Sequence, residues 1–160
     1  MSHYLDDTDK TILMHLQRDG RAQRNKLSEI VNLSVPSVSE RMRKLEERGM
    51  IVRYSAILND KKFNFDILAF ISVEVEDSSM YNKFVEQALD EPEVLECHSI
   101  TGDGSHFLKV RTSNTESFEQ LLSRIQKWEG VSKTRSNVVL SSFKETREIP
   151  IYQSENVKVD

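Results

Sequence analysis

Apolar residues in the first fifty positions recur at helical spacing in three short stretches. The first stretch ends before Gly20, and its apolar positions are Ile12, Leu13 and Leu16, with Leu16 four and three residues after the other two. Any of three polar residues can cap this helix at its N-terminus: Asp6, Asp7 or Thr8. A second helix is predicted from Asn25 to Val31, with three apolar residues on one side: Leu27, Ile30 and Val31.

The third stretch has one narrow apolar stripe, because Val38, Met42 and Leu45 recur at i, i+4 and i+7. Residues 32–34 predict a turn before it, with Leu33 pointing inward and Ser34 as the N-cap. Pro36 fits the first helical turn, and Gly49 ends the helix. The second and third helices therefore predict a helix–turn–helix. The alternation from Ile51 to Leu58 predicts a short strand that would form a wing.

After a polar linker at residues 59–66, the pattern changes to strands alternating with helices. Four strands are predicted: Leu68–Glu76, Val94–Thr101, His106–Thr112 and Val131–Phe143. One helix follows the first strand, with a stripe of Met80, Phe84, Val85, Ala88 and Leu89. A second helix, capped by Asn114 or Ser113, has a stripe of Phe118, Leu121, Leu122 and Ile125. The order βαββαβ is typical of a ferredoxin-like sandwich.

The predicted fold is therefore α+β, with an N-terminal winged helix-turn-helix at 1–58 and a ferredoxin-like βαββαβ domain at 67–145. Residues 146–160 form a C-terminal tail. Along the first strand, Ala69, Ile71, Val73 and Val75 point one way, while Leu68 and Phe70 point the other. Two helices cover only one face of a sheet, so the second apolar face predicts a homodimer.

Composition limits the possible classes of protein. With 160 residues, 38% of them hydrophobic and 30% charged, the chain is predicted to be globular, and its apolar runs are too short to span a membrane. No secretory signal is expected, and a single cysteine suits the cytoplasm. Residues 1–54 hold ten basic and eight acidic side chains, whereas residues 55–160 hold twelve and eighteen. This asymmetry favours a basic domain that binds nucleic acid, joined to an acidic one.

The polar face of the third helix supplies the candidates for contact with double-stranded DNA. Ser37, Arg43 and Lys44 are candidates for reading bases in the major groove. Arg41, Arg48 and Arg53 are expected to contact phosphates together with the small hydroxyls. The full set of candidates is Ser34, Pro36, Ser37, Ser39, Glu40, Arg41, Arg43, Lys44, Arg48 and Arg53. A plainer interpretation is a solvated face on which Glu40 and Lys44 form an ordinary ion pair.

Catalytic chemistry is not indicated, and we expect no cofactor, no metal site and no catalytic residue. Cys97 and His98 are adjacent on a strand, so they face opposite ways and make a poor metal pair. His98 and His106 could be neighbours across two strands, although a structural role is expected for both. Trp128 extends the stripe of the last helix and is expected in the core or at a dimer contact.

These residues together resemble the leucine-responsive/asparagine-regulator (Lrp/AsnC) family of transcription factors. The resemblance covers residues 5–58 and 67–145, and its most specific parts are the third helix with Gly49-Met50-Ile51 and the Gly102-Asp103 hairpin. It implies a regulator of amino-acid metabolism that dimerises through its sheet and often assembles into octamers. It also implies an amino-acid effector near the hairpin, with candidate residues Thr101, Gly102, Asp103, Gly104, Ser105 and His106.

The hairpin departs from the family pattern, which usually continues Gly-Asp-aromatic-Asp-aromatic. Gly104 stands where a ring is usual, and Ser105 stands where a carboxylate is usual. A hydroxyl cannot pair with an ammonium group as an ionised carboxylate does, so charge-assisted recognition at position 105 is reduced.

The predicted function is therefore a sequence-specific DNA-binding transcriptional regulator, modulated by a small metabolite such as an amino acid, and not an enzyme. One alternative is an enzyme of the same architecture that decarboxylates a modified tetrapyrrole, for which His98, His106 and Arg111 are the candidates. Another is an architectural protein that packages DNA with little sequence preference.

Overall fold

The chain folds into two units, which the computed structural model describes over residues 3–153 and 158–159. The first unit, the head, comprises residues 1–57 and 144–160, and the second comprises residues 58–143. Residues 59–66, predicted as a linker, group with the second unit, and residues 144–153 group with the head. The predicted domain boundaries at 58, 67 and 145 stay predictions.

Three helices form the core of the head, as the periodicity predicted: α1 (Asp7–Arg18), α2 (Arg24–Val31) and α3 (Val35–Glu47). The stripes of α1 and α3 are buried in one cluster together with Leu27 of α2. The prediction for α2 was wrong at Ile30, which is 43% exposed, because this helix has only two turns and presents a narrow edge to the core.

Capping groups define the ends of the helices. Asp6 caps α1 by accepting a hydrogen bond from the Asp9 amide at 2.7 Å, which settles the choice among three candidates. Ser34 caps α3, with its Oγ 3.3 Å from the Ser37 amide. Between α2 and α3, Asn32 adopts a left-handed conformation with φ of 52°, a conformation that asparagine tolerates better than most residues. The helix–turn–helix is therefore built as predicted.

The predicted wing strand does not form within the described residues. Residues 52–59 have no regular secondary structure, and a short 3-10 helix follows at Asp60–Phe63. Val52 and Ile57 are 87% and 99% exposed. Alternation alone could not produce a strand here, because backbone N–H and C=O groups need a neighbouring strand and this segment has none in the described chain.

The chain returns to the head after the second unit, through residues 144–153, which we call the return segment. The Gln17 side chain donates to the Ile149 carbonyl at 3.1 Å and accepts from the Ile149 amide at 2.8 Å. Arg18 pairs with Glu148 at 2.7 Å. Ile151 packs against the core of the head. Two short strands, β1 (His3–Tyr4) and β6 (Lys158–Val159), pair antiparallel in the same unit.

The second unit is a four-stranded antiparallel sheet with two helices, in the predicted order βαββαβ. Its elements are β2 (Ile67–Val75), α4 (Tyr81–Asp90), β3 (Val94–Ser99), β4 (His106–Thr112), α5 (Thr115–Ile125) and β5 (Val131–Val138). The strand order is β3-β4-β2-β5. The last strand is shorter than predicted and ends at Val138, which pairs with Ala69 of β2. Beyond it, the Val139 amide still donates to the Leu68 carbonyl at 2.9 Å. Asn114 caps α5 with a reciprocal pair of hydrogen bonds to Ser117.

The two faces of the sheet differ as the alternation predicted. The inner face carries the core with the buried residues of both helices: Ala69, Ile71, Val73, Val75, Phe84, Ala88, Leu108, Val110, Phe118, Leu121 and Ile125. On the outer face, Phe70 and Phe107 stack with their ring centroids 5.5 Å apart. The predicted stripe of α4 was wrong at Leu89, which is 76% exposed. Trp128 joins the core, 5.6 Å from Phe84.

Candidate nucleic-acid interface and hairpin site

Helix α3 buries one face and leaves the opposite face to solvent. Val38, Met42 and Leu45 lie in the core of the head. The candidate base readers Ser37, Arg43 and Lys44 are exposed on the other side, in the orientation that the sequence predicted. The helix is therefore anchored by its apolar stripe and presents polar side chains outward along its whole length.

The outward face is lined by ion pairs. Arg43 donates to both carboxylate oxygens of Glu40, from Nη2 at 2.7 Å and from Nε at 2.9 Å. Its Nη1 also contacts Glu47, and Lys44 Nζ lies 3.5 Å from Glu40. The hydrogen bond from Arg43, reinforced by its charge, lowers the pKa of Glu40 to about 2. Glu40 is therefore ionised throughout the neutral range. The ordinary Glu40–Lys44 pair is present, with Arg43 as the closer partner.

The N-terminal turn of α3 presents small polar groups. Ser34 and Ser37 share a hydrogen bond between their hydroxyls at 2.8 Å. Pro36 is exposed between them, and Ser39 is half-buried. Because these side chains are small and polar, a sugar-phosphate backbone can approach the N-terminus of the helix.

Arg41 is turned towards the head and not outward. Its Nη1 lies 2.7 Å from a carboxylate oxygen of Asp6 and 2.7 Å from one of Asp9, so it fastens α3 to the start of α1. Desolvation raises the pKa of Asp6, but the hydrogen bonds from the Asp9 amide and Arg41 outweigh it, and the net pKa is lowered. This placement contradicts the expectation that Arg41 reaches out to a phosphate.

Two further arginines extend the polar face beyond α3. Arg48 is half-buried at the C-cap of the helix, and Arg53 is exposed in the segment that follows. Neither side chain forms an ion pair with another residue in the described part of the chain. Tyr54 anchors this segment by donating to Glu46 at 2.9 Å, and burial followed by that bond raises its pKa to about 12.

In the second unit, the hairpin at residues 101–105 lies tightly against β2. Gly102 and Gly104 have φ of 108° and 97°, a region that glycine enters without strain. Ser72 Oγ donates to the Asp103 carbonyl at 2.6 Å. Arg135 pairs with the Asp103 carboxylate at 2.7 Å. A side chain at position 104 would collide with the strand, because its Cβ would lie 2.9 Å from the Val73 carbonyl oxygen.

Ser105 joins the hairpin to the backbone of β2. Its amide donates to the Val73 carbonyl at 2.9 Å, and its Oγ accepts from the Val75 amide at 3.1 Å. The same hydroxyl lies 2.9 Å from Nδ1 of His106. His106 is only 2% exposed and packs against Tyr81, and burial lowers its pKa. Ser105 and His106 therefore have structural partners within the fold.

An open cleft of about 420 Å³ lies beside this hairpin. Of the six predicted effector residues, three line it: Gly102, Gly104 and Ser105. The other lining residues were not predicted: Glu74, Val75, Tyr81, Ser99 and Ile100. The strand alternation already placed Glu74 opposite the core, but its proximity to the hairpin depends on the pairing of β2 with β4. Asp103 and His106 are engaged elsewhere, by Arg135 and by the core.

The histidines are separated by the sheet. His98 pairs in register with Phe107, and Ser99 pairs with His106, so the two histidines are not directly opposite each other. His98 is exposed and lies 3.3 Å from Glu96, whereas His106 is in the core. Over the described residues, no group of three or more His, Cys, Asp or Glu side chains is arranged to hold a metal ion. No helix in the same residues is long and apolar enough to cross a membrane.

A helix–turn–helix head with an exposed polar third helix, joined to a ferredoxin-like sandwich with a cleft, defines the class of two-domain DNA-binding regulators. Comparison with known proteins agrees. Residues 5–52 match the family described as winged helix-turn-helix DNA-binding, and residues 68–149 match the Lrp/AsnC ligand binding domain. The chain belongs to the Lrp/AsnC family of transcriptional regulators.

Individual relatives cover almost the whole chain. The HTH-type transcriptional regulator FL11 of Pyrococcus furiosus is 34% identical over 94% of this chain and 99% of its own length. The leucine-responsive regulatory protein of Escherichia coli is 32% identical over 92% of both chains. The crystal structure of transcriptional regulator NMB0573 of Neisseria meningitidis, in complex with L-Met, has a TM-score of 0.89 at 32% identity, over 92% of this chain and 97% of that one.

Proposed function

We propose that this DNA-binding regulator places α3 in the major groove of duplex DNA and responds to an amino acid bound at the hairpin cleft. The observation that carries the first part is the outward polar face of α3 opposite a fully buried stripe. A helix anchored in this way can enter the groove without exposing its core. The acidic balance of the whole chain does not oppose this, because residues 1–54 carry a net charge of +2.

The side chains divide between two tasks. Ser37, Arg43 and Lys44 reach furthest outward and read base edges, Arg43 by its two-pronged guanidinium. A second set contacts the sugar-phosphate backbone or shapes the approach to it: Ser34, Pro36, Ser39, Arg48 and Arg53. Arg41 is excluded from both sets, because two carboxylates of the head already hold it.

The hairpin cleft suits a small zwitterion. Among the described residues, Glu74 is the one carboxylate that lines it, so Glu74 pairs with the ammonium group that position 105 cannot hold. Val75 and Ile100 offer apolar surface for a side chain. The L-Met complex of the Neisseria meningitidis relative supports an amino acid as the class of ligand.

The protein acts as a homodimer that assembles further, up to the octamer implied by the family resemblance. The outer face of the sheet supports this, because the stacked Phe70 and Phe107 and the 49% exposed Leu95 give it apolar surface. Paired heads would read two half-sites on DNA.

Regulation without catalysis, in the cytoplasm, completes the proposal. The tetrapyrrole alternative needs His98, His106 and Arg111 in one cleft. The sheet instead buries His106 in the core and sets His98 on the opposite face. The geometry therefore opposes a shared active site.

Fluorescence anisotropy with a duplex selected from a random pool by the wild-type protein tests DNA binding. The apparent affinity should fall steeply with salt. Arg43→Ala should lower the preference for the selected duplex over a random one. Arg53→Ala should weaken binding to both duplexes by the same factor. It should also reduce by about one the slope of log affinity against log salt concentration. Salt-insensitive binding, or equal effects of the two substitutions on preference, would contradict the proposal.

A melting-temperature screen against the twenty amino acids tests the effector site. A ligand at a hundredfold excess over its dissociation constant stabilises the folded state by about 2.7 kcal/mol. Glu74→Gln should remove the shift, whereas Glu76→Gln, an exposed carboxylate just after the end of β2, should retain it. A shift that survives Glu74→Gln would exclude Glu74 as the ammonium partner, and the absence of any shift in the wild type would exclude an amino-acid effector.

A further inference from the structure

The Arg43 guanidinium, the group best shaped to read a base, already forms hydrogen bonds within the protein. Arg43 uses Nε and Nη2 to hold the two oxygens of Glu40, in the same two-pronged geometry that it would use on guanine. Its remaining nitrogen, Nη1, contacts Glu47. All three side chains are about half exposed, so none is held in place by burial.

The charges on this face cancel. Glu40 and Glu47 balance Arg43 and Lys44, so the centre of the recognition face offers no net attraction to phosphates. While Arg43 is paired with Glu40, its hydrogen bond lowers the pKa of that carboxyl to about 2, so Glu40 is charged near neutral pH. Exposed pairs of this kind add little to the stability of a folded protein. These ion pairs are therefore expected to affect DNA binding more than the stability of the fold.

We infer that Glu40 is a positioning residue that sets the sequence specificity of α3 by holding Arg43 until a G·C base pair replaces it. Guanine O6 and N7 provide a second pair of acceptors in the groove that can take Arg43 from Glu40. Glu40 is then left in a groove flanked by phosphates. Lys44 then remains its nearest cation, and a base that offers an amino group, as cytosine N4 does, supplies the hydrogen bond that Arg43 gave.

At other sequences the exchange is incomplete. Arg43 either stays on Glu40, which brings a carboxylate into the groove unpaired with DNA, or moves to a phosphate and leaves Glu40 with Lys44 as its remaining partner and no donor from a base. Glu40 therefore weakens binding to arbitrary DNA more than binding to the preferred site. This inference rests on the proposed entry of α3 into the major groove and goes beyond it by naming the base pair and the residue that enforces it.

The test uses the full chain and compares the wild type with Glu40→Gln, which keeps the shape of the side chain and removes its charge. Affinity is measured by anisotropy, over a series of salt concentrations, for the selected duplex and for a random duplex of equal length. Glu40→Gln should bind the random duplex more tightly and lower the ratio of specific to random affinity by about tenfold. Selection from a random pool with the variant should lose a G·C pair that the wild type selects.

Two controls separate this mechanism from a change of overall charge. Glu116→Gln makes the same charge change on an exposed residue of the second unit and should leave the affinity ratio unchanged. In an Arg43→Gln background, Glu40→Gln should no longer alter the ratio, because its effect acts through Arg43. The melting temperature of each variant should match that of the wild type.

The outcomes are distinguishable. A wild type that prefers its selected duplex and a Glu40→Gln variant with the same preference would overturn the inference and leave the proposed function standing. The same is true if Glu116→Gln has an equal effect, or if Glu40→Gln acts fully without Arg43. A wild type with no preference among duplexes would overturn both the inference and sequence-specific regulation.

Discussion

The close approach of the hairpin to β2 gives the most sharply controlled prediction, because two glycines share one conformation and differ in their surroundings. Gly102 and Gly104 both have positive φ, at 108° and 97°. A Cβ at Gly102 would meet nothing within 4 Å. A Cβ at Gly104 would lie 2.6 Å from Ser72 Oγ and 2.9 Å from the Val73 carbonyl oxygen. Alanine at each position therefore separates conformational strain from steric overlap.

The magnitudes follow from these contacts. Both substitutions incur the left-handed cost of a non-glycine residue, about 1–2 kcal/mol. Gly104→Ala must also displace the hairpin from the strand, which breaks the bond from Ser72 to the Asp103 carbonyl, worth about 1 kcal/mol. The overlap adds about 1–3 kcal/mol. Gly104→Ala should therefore destabilise the second unit by about 2–4 kcal/mol more than Gly102→Ala does.

The single tryptophan makes this measurable in one unit of the intact protein. Trp128 packs on Phe84 in the core of the second unit, so its fluorescence follows the unfolding of that unit in urea or on heating. For a unit of this size, about 1 kcal/mol corresponds to about 4–8 °C, so the melting temperatures of the two variants should differ clearly. Equal losses in the two variants would show that the hairpin does not lie against β2 and would refute the reasoning.

Further predictions concern the head. Arg41→Met should lower the free energy of unfolding of the head by about 2 kcal/mol, because Asp9 loses the guanidinium that pairs with it. Denaturation followed by circular dichroism measures this, and a change below about 0.5 kcal/mol would contradict it. Asp6 has a lowered pKa, so its contribution is present above its ordinary value of 3.8 and is lost as the pH falls through the folded-state pKa. Wild-type stability should accordingly fall more steeply than that of Arg41→Met below about pH 4. Deleting residues 144–160 should destabilise the head by about 2–3 kcal/mol, through the loss of Ile151 packing and the bonds to α1. In this deletion variant, the unfolding transition reported by Trp128 fluorescence should stay unchanged. A circular-dichroism helix signal that melts as in the wild type would contradict a stabilising role of the return segment.

Much of the fold could be predicted because burial follows local periodicity. The stripe of Val38, Met42 and Leu45 is an immediate consequence of 3.6 residues per turn, and all three residues are in the core. The caps at Asp6, Ser34 and Asn114 depend on groups within three residues along the chain. The order of strands and helices along the second unit, βαββαβ, followed from the change of period along the chain.

What the sequence did not reveal depends on contacts between distant residues. Arg41 lies on the flank of its helix, where it could turn either way, and only the position of α1 places Asp6 and Asp9 within 2.7 Å of it. The segment at 51–58 alternates like a strand but has no partner strand in the described chain. The packing of Ile151 on the head links residues that are more than a hundred positions apart, and no local pattern encodes such a contact.

Some features of the candidate site could likewise be predicted from the sequence, and others could not. The outward direction of Ser37, Arg43 and Lys44 could be predicted, because it is the complement of the buried stripe. The grip of Glu40 on Arg43 is a choice among rotamers on an exposed face, which spacing permits but does not decide. The lining of the cleft by Glu74 required the register between β2 and β4.

The way the head is assembled from two separate stretches of chain has a consequence for synthesis. A ribosome makes residues 1–57, then the whole of residues 58–143, and only then the segment that carries Ile151. At about 5–20 residues per second, this interval lasts several seconds. During this interval, the nascent chain lacks the packing of Ile151 on the head. Newly made molecules therefore complete the head that engages the genome only after the metabolite-sensing unit has been translated.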